Sequence, residues 1–277
     1  MVVGTGEEGF QDGAAAAAMF HNVRAMLHLP DGRVLVADFS NNCIPMLSAD
    51  FQQVSTVAGN GGDGHRDGAA AQAQFYRPRA FALLPDGRVL VTDEINHRIR
   101  VLSADLQQVS TVAGDGNKGH RDGAVAQVQF RSPTGLALLP DSRVLVADVG
   151  NNRIRVLSAD LQQVSTLTNA DELDNPTALE LLPDGRLLVG SGRHIRVLEG
   201  FPVAPLSTKP SHKQPKKKNQ QKRKRALAGG ASSSGLVAKR SRSGASSSSS
   251  AAAMASSSDS ESEEQPGGAA AAATPLV

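Results

Sequence analysis

Tryptophan is absent from the 277 residues, and cysteine occurs once, as Cys43. A single thiol excludes an intrachain disulfide, a cysteine-rich zinc module and a RING-type domain. It also predicts a reducing, intracellular setting. The first residues are acidic where a secretory signal peptide is basic, and no apolar run approaches the length of a membrane span. We therefore expect a soluble protein that is not secreted and makes no membrane contact.

Aromatic residues are few, and all nine precede Leu206. Residues 1–206 carry 17 basic and 23 acidic side chains, a net charge of −6, and their aliphatic content predicts a core of Val, Leu, Ile and Ala. Residues 207–277 carry 12 basic and 4 acidic side chains, a net charge of +8. Without aromatic residues, this segment cannot bury enough apolar surface to offset the loss of chain entropy. We predict one folded domain over 1–206 and a disordered tail over 207–277, first basic and then rich in Ser, Ala and acidic residues.

Three strings recur in a fixed order along residues 1–206. Variants of LPDGRVLVAD, spaced by 55, 55 and 43 residues, begin at Leu29, Leu84, Leu139 and Leu182. Copies of SAD(F/L)QQVST, spaced by 55 residues, begin at Ser48, Ser103 and Ser158. GHRDGA with a following QxQF occupies 64–75 and 119–130, and residues 9–14 form a degenerate first copy. Self-similarity at a fixed period indicates a repeat architecture.

Each repeat has the periodicity of four short strands. In the third unit, residues 135–139 and 143–147 are apolar runs separated by a Pro-Asp-Ser turn. Residues 154–157 alternate apolar and basic side chains, and residues 163–167 supply a fourth strand. Four strands with tight turns and a longer link to the next unit are typical of a propeller blade. The predicted fold class is all-β, a β-propeller or an open propeller arc of about four blades.

The same unit resembles the NHL repeat, a known family of propeller blades. The resemblance rests on PTGLA at 133–137, VAD at 146–148 and NNRIR at 151–155. The string VSTVAG, which ends a repeat, and the link G-x-x-D-G-x-x-x-x-A-x-F resemble the long-repeat variety of the NHL family. The resemblance spans about residues 4–200. The fourth copy departs at 189–195, where the turn is two residues shorter and lacks its Asp and Asn. The resemblance implies NHL-type blades, the last of them degenerate.

Ring closure has two possible outcomes. Four units are visible, whereas propellers have ~4 to 8 blades. Residues 2–4 match the end of a fourth strand, as at 57–59, so the N-terminus could complete the last blade. We predict an arc or a strained small ring. An arc with free edge strands would tend to pair with a second copy.

Glycine-rich motifs at 4–9, 59–64 and 114–119 resemble a dinucleotide fingerprint. That site needs a helix opening at the motif, and too few residues follow here for one. Recurrence at the repeat period favours turns between blades with glycines at positive φ. The loop at 63–68 lacks the ligands of a calcium site, and the loop histidines lack further zinc ligands. We expect no cofactor, no metal and no catalytic residue.

Repeated polar residues have structural and binding interpretations. Asp38, Asp93 and Asp148 each precede a turn with asparagines such as Asn96 and Asn151, which predicts carboxylates that cap their own blade's turn. The links between blades should project from one face, where we expect a protein partner to bind. The candidate interaction residues are His65, Arg66, Asp67, His120, Arg121 and Asp122.

Two basic clusters in the tail resemble nuclear import signals. Their residues are Lys216, Lys217, Lys218, Lys222, Arg223, Lys224 and Arg225, then Lys239, Arg240 and Arg242. We predict a nuclear protein whose tail binds an import receptor; the alternative is a solvated charged linker in a cytoplasmic protein. No aromatic residue is interleaved, so a nucleic-acid contact would be weak, salt-sensitive and limited to phosphates. Serines ahead of acidic residues at 256–264 resemble acidophilic-kinase sites.

The sequence favours a non-enzymatic protein-interaction scaffold with a nuclear-targeting tail. One alternative is an NHL protein that binds RNA or another nucleic acid, or a substrate-recognition module associated with a ubiquitin ligase. The acidic charge of residues 1–206 counts against nucleic acid on the propeller. A propeller enzyme of the lactonase or lyase type would need a cluster of dissimilar metal ligands, which the repeats do not offer.

Overall fold

The computed structural model of the protein describes residues 2–201, which form four antiparallel sheets in chain order. The first blade contains β1 (Gly13–Ala14), β2 (Val23–His28), β3 (Val34–Asp38), β4 (Ile44–Leu47) and β5 (Gln53–Ala58). The second contains β6 (Gly68–Ala69), β7 (Pro78–Leu83), β8 (Val89–Asp93), β9 (Arg98–Leu102) and β10 (Gln108–Ala113). The third contains β11 (Gly123–Ala124), β12 (Pro133–Leu138), β13 (Val144–Asp148), β14 (Arg153–Leu157) and β15 (Gln163–Thr166). The fourth contains β16 (Pro176–Leu181), β17 (Leu187–Ser191) and β18 (His194–Leu198).

Three-residue 3₁₀ helices complete the described elements, at Ala15–Ala17, Ala70–Gln72 and Val149–Asn151. No helix within residues 2–201 has the length and apolar character needed to cross a membrane. The predicted all-β fold is confirmed as a four-blade propeller arrangement. The predictions for the tail, and for the boundary near residue 206, lie outside the described residues.

Strand order repeats from blade to blade. The second blade runs β6-β10-β9-β8-β7, so its four long strands form an antiparallel meander. The two-residue strand β6 belongs to the preceding link and pairs with β10 at the outer edge of the same sheet. β2, β7, β12 and β16 contact one another in succession along the centre of the arrangement.

The tight turns follow from their own sequence. In the second blade, Asp86 Oδ1 accepts a hydrogen bond from the Arg88 backbone N–H at 3.1 Å, and Arg88 Nε donates to Asp86 Oδ2 at 2.8 Å. Gly87 between them has a φ of +86°, a conformation that costs glycine little. Because the same Asp and Arg recur, the four blades share this turn.

The core consists of apolar layers between adjacent blades. One layer joins the first blade to the second, another the second to the third, and another the third to the fourth. A smaller cluster around Val36 and Val54 belongs to the first blade and the segment before it. No described apolar cluster contains residues of both the first and the last blade. Met26 in β2 is 70% exposed and Ile195 in β18 is 72% exposed, so the four blades form an open arc.

Candidate protein interface on the link face

One end of the propeller carries both the turns between the second and third long strands and the links that join consecutive blades. We call this end the link face. Asn96 of a β8–β9 turn donates a hydrogen bond to the Gly64 carbonyl of the preceding link at 2.6 Å. Asn41 and Asn151 make the same 2.6 Å bond to Gly9 and Gly119. The repeated asparagines therefore tie each link to the blade that follows it.

The three repeated aspartates are buried beneath the link face. Asp93 Oδ1 accepts from the Tyr76 backbone N–H at 2.7 Å, and its Oδ2 accepts from Asn96 Nδ2 at 2.8 Å. Asp38 and Asp148 make equivalent bonds. Burial raises the pKa of all three carboxyls, against the opposing effect of these hydrogen bonds. Their partners are groups of the protein itself, which fits a role in holding turn and link together.

Two buried arginines escaped the sequence reasoning. Arg100 in β9 and Arg155 in β14 are fully buried, and each donates to the aspartate of its own blade, Asp93 or Asp148, at 2.8 Å. Each also donates to two backbone carbonyls of the preceding link. The two guanidinium groups lie about 5 Å from the rings of buried phenylalanines, Phe75 and Phe130. The first blade has Pro45 at the corresponding position and lacks this anchor.

The acidic candidates of the interaction loops are engaged within the chain. Asp67 Oδ1 accepts from Arg100 Nη2 at 2.6 Å, and Asp67 Oδ2 accepts from the Thr111 backbone N–H at 3.0 Å. Asp122 makes the same bonds with Arg155 and Thr166. Burial opposes ionisation, but the arginine and threonine contacts outweigh it and hold the pKa of both carboxyls below the ordinary value. Each of these carboxylates therefore connects its link to two strands of the blade that follows.

The other candidates are exposed on the links. The Arg66 and Arg121 side chains face solvent, while their carbonyls accept from the buried arginines. His120 is also exposed. His65 Nε2 lies 2.8 Å from Thr111 Oγ1, and burial lowers the pKa of His65, with nearby arginines acting in the same direction.

The glycine-rich motifs form turns between blades. Gly59 has a φ of +90°, and a Cβ there would stand 2.8 Å from the Asn42 carbonyl oxygen. Gly114 is equivalent, with a φ of +106° and a Cβ position 2.6 Å from the His97 carbonyl oxygen. Close backbone approach and positive φ explain why glycine recurs here.

A second feature that sequence reasoning missed is an arginine pair stacked on one aromatic ring. The guanidinium carbons of Arg24 and Arg77 lie 4.9 and 5.3 Å from the centre of the Phe39 ring. Among residues 2–201, neither arginine forms an ion pair with a carboxylate. One repeat along, Arg79 pairs with Glu94 at 2.8 Å. Phe39 stands where the second blade has Glu94, and this difference between repeats is the signal in the sequence.

An open cleft of about 340 Å³ runs beside Arg24, along the inner strands of all four blades. Its walls include Arg24, Arg79, Thr134 and Thr177. The Thr134 hydroxyl lies 3.2 Å from the Thr177 carbonyl oxygen, so backbone groups of the fourth blade are part of the wall. The cleft thus offers Arg24, which is unpaired within residues 2–201, the Arg79–Glu94 pair and polar backbone to a ligand that enters between the inner strands.

Within residues 2–201, potential metal ligands are dispersed, and the one thiol is enclosed by the core. No group of three His, Cys, Asp or Glu side chains is placed to hold a metal ion in this part of the chain. Cys43 is fully buried, and burial raises the pKa of its thiol well above the ordinary value.

These features define an all-β propeller whose links are anchored by repeated Asp, Asn and Arg side chains. The NHL repeat family matches residues 75–102 and 130–157, which are the first three long strands of the second and third blades. The chain contains NHL repeats, and the resemblance inferred from the sequence is confirmed.

Parts of several known proteins are similar to this chain. The Arabidopsis thaliana protein SUPPRESSOR OF QUENCHING 1, chloroplastic, is 36% identical over 94 residues, 34% of this chain and 9% of that protein. NHL repeat-containing protein 2 of Gallus gallus is 29% identical over 144 residues, 48% of this chain and 20% of that protein. The chain thus spans a fifth or less of these curated relatives. A solved auxiliary nutrient binding protein from Bacteroides thetaiotaomicron shares the fold, with a TM-score of 0.50, 14% identity, and coverage of 63% of this chain and 46% of that one.

Proposed function

We propose that the propeller is a non-enzymatic interaction module that binds an acidic segment of a partner protein on the link face, at Arg24 and Arg77. An NHL propeller supports partner binding at a coarse level, because its loops stand on a rigid scaffold. The proposal of an acidic partner rests on a difference between repeats. Phe39 stands where the second blade has Glu94, so within residues 2–201 Arg24 lacks the acidic partner that Arg79 has. Arg24 is held in place by an aromatic ring, and its donors remain available to a carboxylate from outside.

The arginine pair suits this partner chemically. A guanidinium presents a planar fork of donors that matches a carboxylate, and stacking on a ring leaves the edge of the fork free. Arg24 and Arg77 are both exposed, and Arg66 and Arg121 on the links add positive charge to the same face. The cleft beside Arg24 gives an extended segment a path toward the centre of the arc.

The experiment compares two double variants of the full chain. Arg24→Gln/Arg77→Gln removes the stacked pair, and Arg33→Gln/Arg88→Gln removes two arginines from the opposite face. With a fluorescent peptide of alternating Glu and Gly as the probe, we expect the first variant to weaken binding by roughly tenfold or more, because a charge-assisted hydrogen bond contributes about 1.5 to 3 kcal/mol. We expect the second variant to bind as the wild type does. Equal effects of the two variants would contradict the proposal.

A propeller enzyme is the competing interpretation. The carboxylates that recur in the described blades are hydrogen-bonded to arginine, asparagine and backbone groups, which favours binding over catalysis. Hydrolysis of model lactones by the full chain, dependent on an added divalent metal, would support the enzyme.

We further propose that the tail directs nuclear import. The support is the pair of basic clusters in the sequence, Lys216 to Arg225 and Lys239 to Arg242, separated by small residues. In this proposal the tail binds an import receptor and the propeller binds the cargo or regulator. We expect mutations in the tail and in the propeller to affect these two functions separately.

A further inference from the structure

The three junctions between blades share one geometry, in which the rear face of a blade packs against the front face of the next. Between the third and fourth blades, the rear face contributes Ala137, Ile154 and Val156. The front face opposite contributes Leu179, Leu181, Leu187 and Val189. The other two junctions use the corresponding residues of their own repeats.

The first blade has a front face that no other described blade covers, and the segment before this blade covers the face only in part, at residues such as Val36 and Val54. Met26 in this face is 70% exposed, whereas Leu136 at the corresponding position of the third blade is 9% exposed. Phe51 is 42% exposed, while its counterparts Leu106 and Leu161 are buried. The first blade therefore keeps the apolar side chains of a junction that is not made within this part of the chain.

The rear face of the last blade also exposes apolar side chains. Ile195 is 72% exposed, and its counterpart Ile154 is fully buried. Val197 is 50% exposed, and its counterpart Val156 is 8% exposed. The described arc thus ends in one free front face and one free rear face, and these are the two kinds of surface that join each pair of adjacent blades.

Two polar replacements fall on these free faces and complement each other. His28 on the front face of the first blade stands where the other blades have Leu83, Leu138 and Leu181. Glu180 on the rear face of the last blade stands where the other blades have Leu27, Ala82 and Ala137. At each junction within the chain, the counterparts of these two positions belong to the same apolar cluster. A histidine and a carboxylate would meet if the two free faces were joined.

We propose that two copies of this chain associate head to tail, with the rear face of the last blade of one copy packed on the front face of the first blade of the other. Glu180 of one copy would then face His28 of the second. This association is independent of the acidic partner proposed above. If both junctions form, two copies place eight blades in one ring, within the ~4 to 8 blades of known propellers.

Residues 2–4 fit this arrangement. The Gly4 N–H donates to the Ala15 carbonyl at 2.7 Å, as Gly59 N–H donates to the Ala70 carbonyl at 2.9 Å. Residues 2–4 thus lie beside the first blade as residues 57–59, which include the last residues of β5, lie beside the second. β18 has one paired neighbour, β17, among the described residues. Head-to-tail packing brings residues 2–4 of one copy to the free edge of β18 in the other.

One bond of the internal junctions would be missing. The Arg77 backbone N–H donates to Asn42 Oδ1 of the preceding blade at 2.9 Å, and Asn175 N–H donates to Asn152 Oδ1 at 3.0 Å. The shorter turn of the last blade contains Gly192 and Arg193, and neither has a side chain that could accept such a bond. The junction between copies would rest on apolar packing and the Glu180–His28 contact, so we expect reversible association.

The first test is the mass of the full chain in sedimentation velocity over a wide range of protein concentration. We expect a reversible monomer–dimer equilibrium that Ile195→Asp and Met26→Asp each abolish, without loss of melting temperature because both side chains are exposed. A mixture of the two variants retains one intact junction and should regain the dimer. A monomer at every concentration overturns the proposal. So does a dimer that survives Ile195→Asp but not Met26→Asp, since that result indicates a front-to-front contact.

The second test is a charge exchange. His28→Glu should weaken the dimer by about tenfold, because two carboxylates then face each other across the junction. Glu180→Lys should also weaken it, because it removes the carboxylate that faces His28. The double variant His28→Glu/Glu180→Lys places a carboxylate opposite an ammonium group and should recover the dimer. His120→Glu and Asp171→Lys, exposed on the links, are the matched controls and should leave the mass unchanged. Absence of recovery in the double variant would show that the two residues do not meet.

Discussion

Arg100 and Asp93 form an ion pair at 2.8 Å in which neither side chain is exposed to solvent. The same guanidinium reaches Asp67 on the preceding link at 2.6 Å. One buried cation therefore connects a strand to the segment that leads into its own blade. Removing one partner of a buried pair leaves an uncompensated charge, which is the costly outcome.

We accordingly predict that Arg100→Met lowers the free energy of unfolding by about 3 to 5 kcal/mol. Arg98→Met on the same strand is the control: Arg98 is half-buried and donates only to carbonyls, so we expect a loss of roughly 0.5 to 1.5 kcal/mol. Denaturant titration of the full chain measures both. Asp93→Asn/Arg100→Met removes both buried charges and should recover part of the loss. Equal stability of the two single variants would contradict a special role for Arg100.

The change in the free energy of unfolding at acid pH should depend on Asp67. Its carboxyl has a lowered pKa in the folded state, so its contribution is present above the unfolded value of about 3.9 and is lost as pH falls through the folded value. Asp93 and Asp148 have raised pKa values, and their protonation acts in the opposite direction in the same acid range.

We therefore expect Asp67→Asn to be less stable than the wild type at neutral pH, with a difference that shrinks as pH falls below about 4. Urea unfolding at a series of pH values is the measurement, with Asp171→Asn as a control that removes one exposed carboxylate. A difference that stays constant with pH would place the role of Asp67 in its shape and not in its charge.

The repeat strings were sufficient to predict the strands and turns, because local chemistry determines them. The Asp-Gly-Arg turn is closed by contacts between residues two apart, as Asp86 and Arg88 show. Burial of Arg155 was not predictable from alternation. In residues 154–157 the basic side chain suggests a solvated face, but the preceding link folds over Arg155 and accepts its hydrogen bonds at the Arg121 and Gln129 carbonyls. The predicted nuclear import and partner loops stay predictions.

The arginine pair on Phe39 depends on packing between blades. Arg24 and Phe39 lie in the first blade, whereas Arg77 comes from the link into the second, so no local pattern joins all three. The signal in the sequence is that the first blade has Phe39 at the repeat position where the second blade has Glu94. Differences between otherwise similar repeats are therefore where binding residues should be sought in this chain.

Nuclear import should depend on the first basic cluster. Lys222→Ala, Arg223→Ala, Lys224→Ala and Arg225→Ala, combined in one full-length fluorescent fusion, should move the protein toward the cytoplasm, because import receptors read a dense basic run. Lys209→Ala removes one lysine of the same tail outside the basic clusters and should leave the distribution unchanged. Live-cell imaging of the nuclear-to-cytoplasmic ratio checks both. Nuclear enrichment that persists in the cluster variant removes the import proposal.

Nucleic-acid binding, if it occurs, should follow the charge of the tail. Residues 1–206 carry a net charge of −6 and residues 207–277 carry +8, so a polyanion is repelled by one segment and attracted by the other. Without interleaved aromatic residues the tail contacts phosphates and cannot stack on bases, so the affinity should be independent of base sequence and fall steeply with salt.

The test is binding of the full chain to single-stranded RNA across a salt series. Alanine at Lys216, Lys217, Lys218, Lys222, Arg223, Lys224 and Arg225 should lower the affinity and flatten the slope of log K against log salt, by about 0.7 for each lost phosphate contact. Arg24→Gln/Arg77→Gln on the link face is the matched comparison and should leave the RNA slope unchanged. Sequence-selective RNA binding that this link-face variant abolishes would favour the RNA-binding interpretation of the propeller over an acidic protein partner.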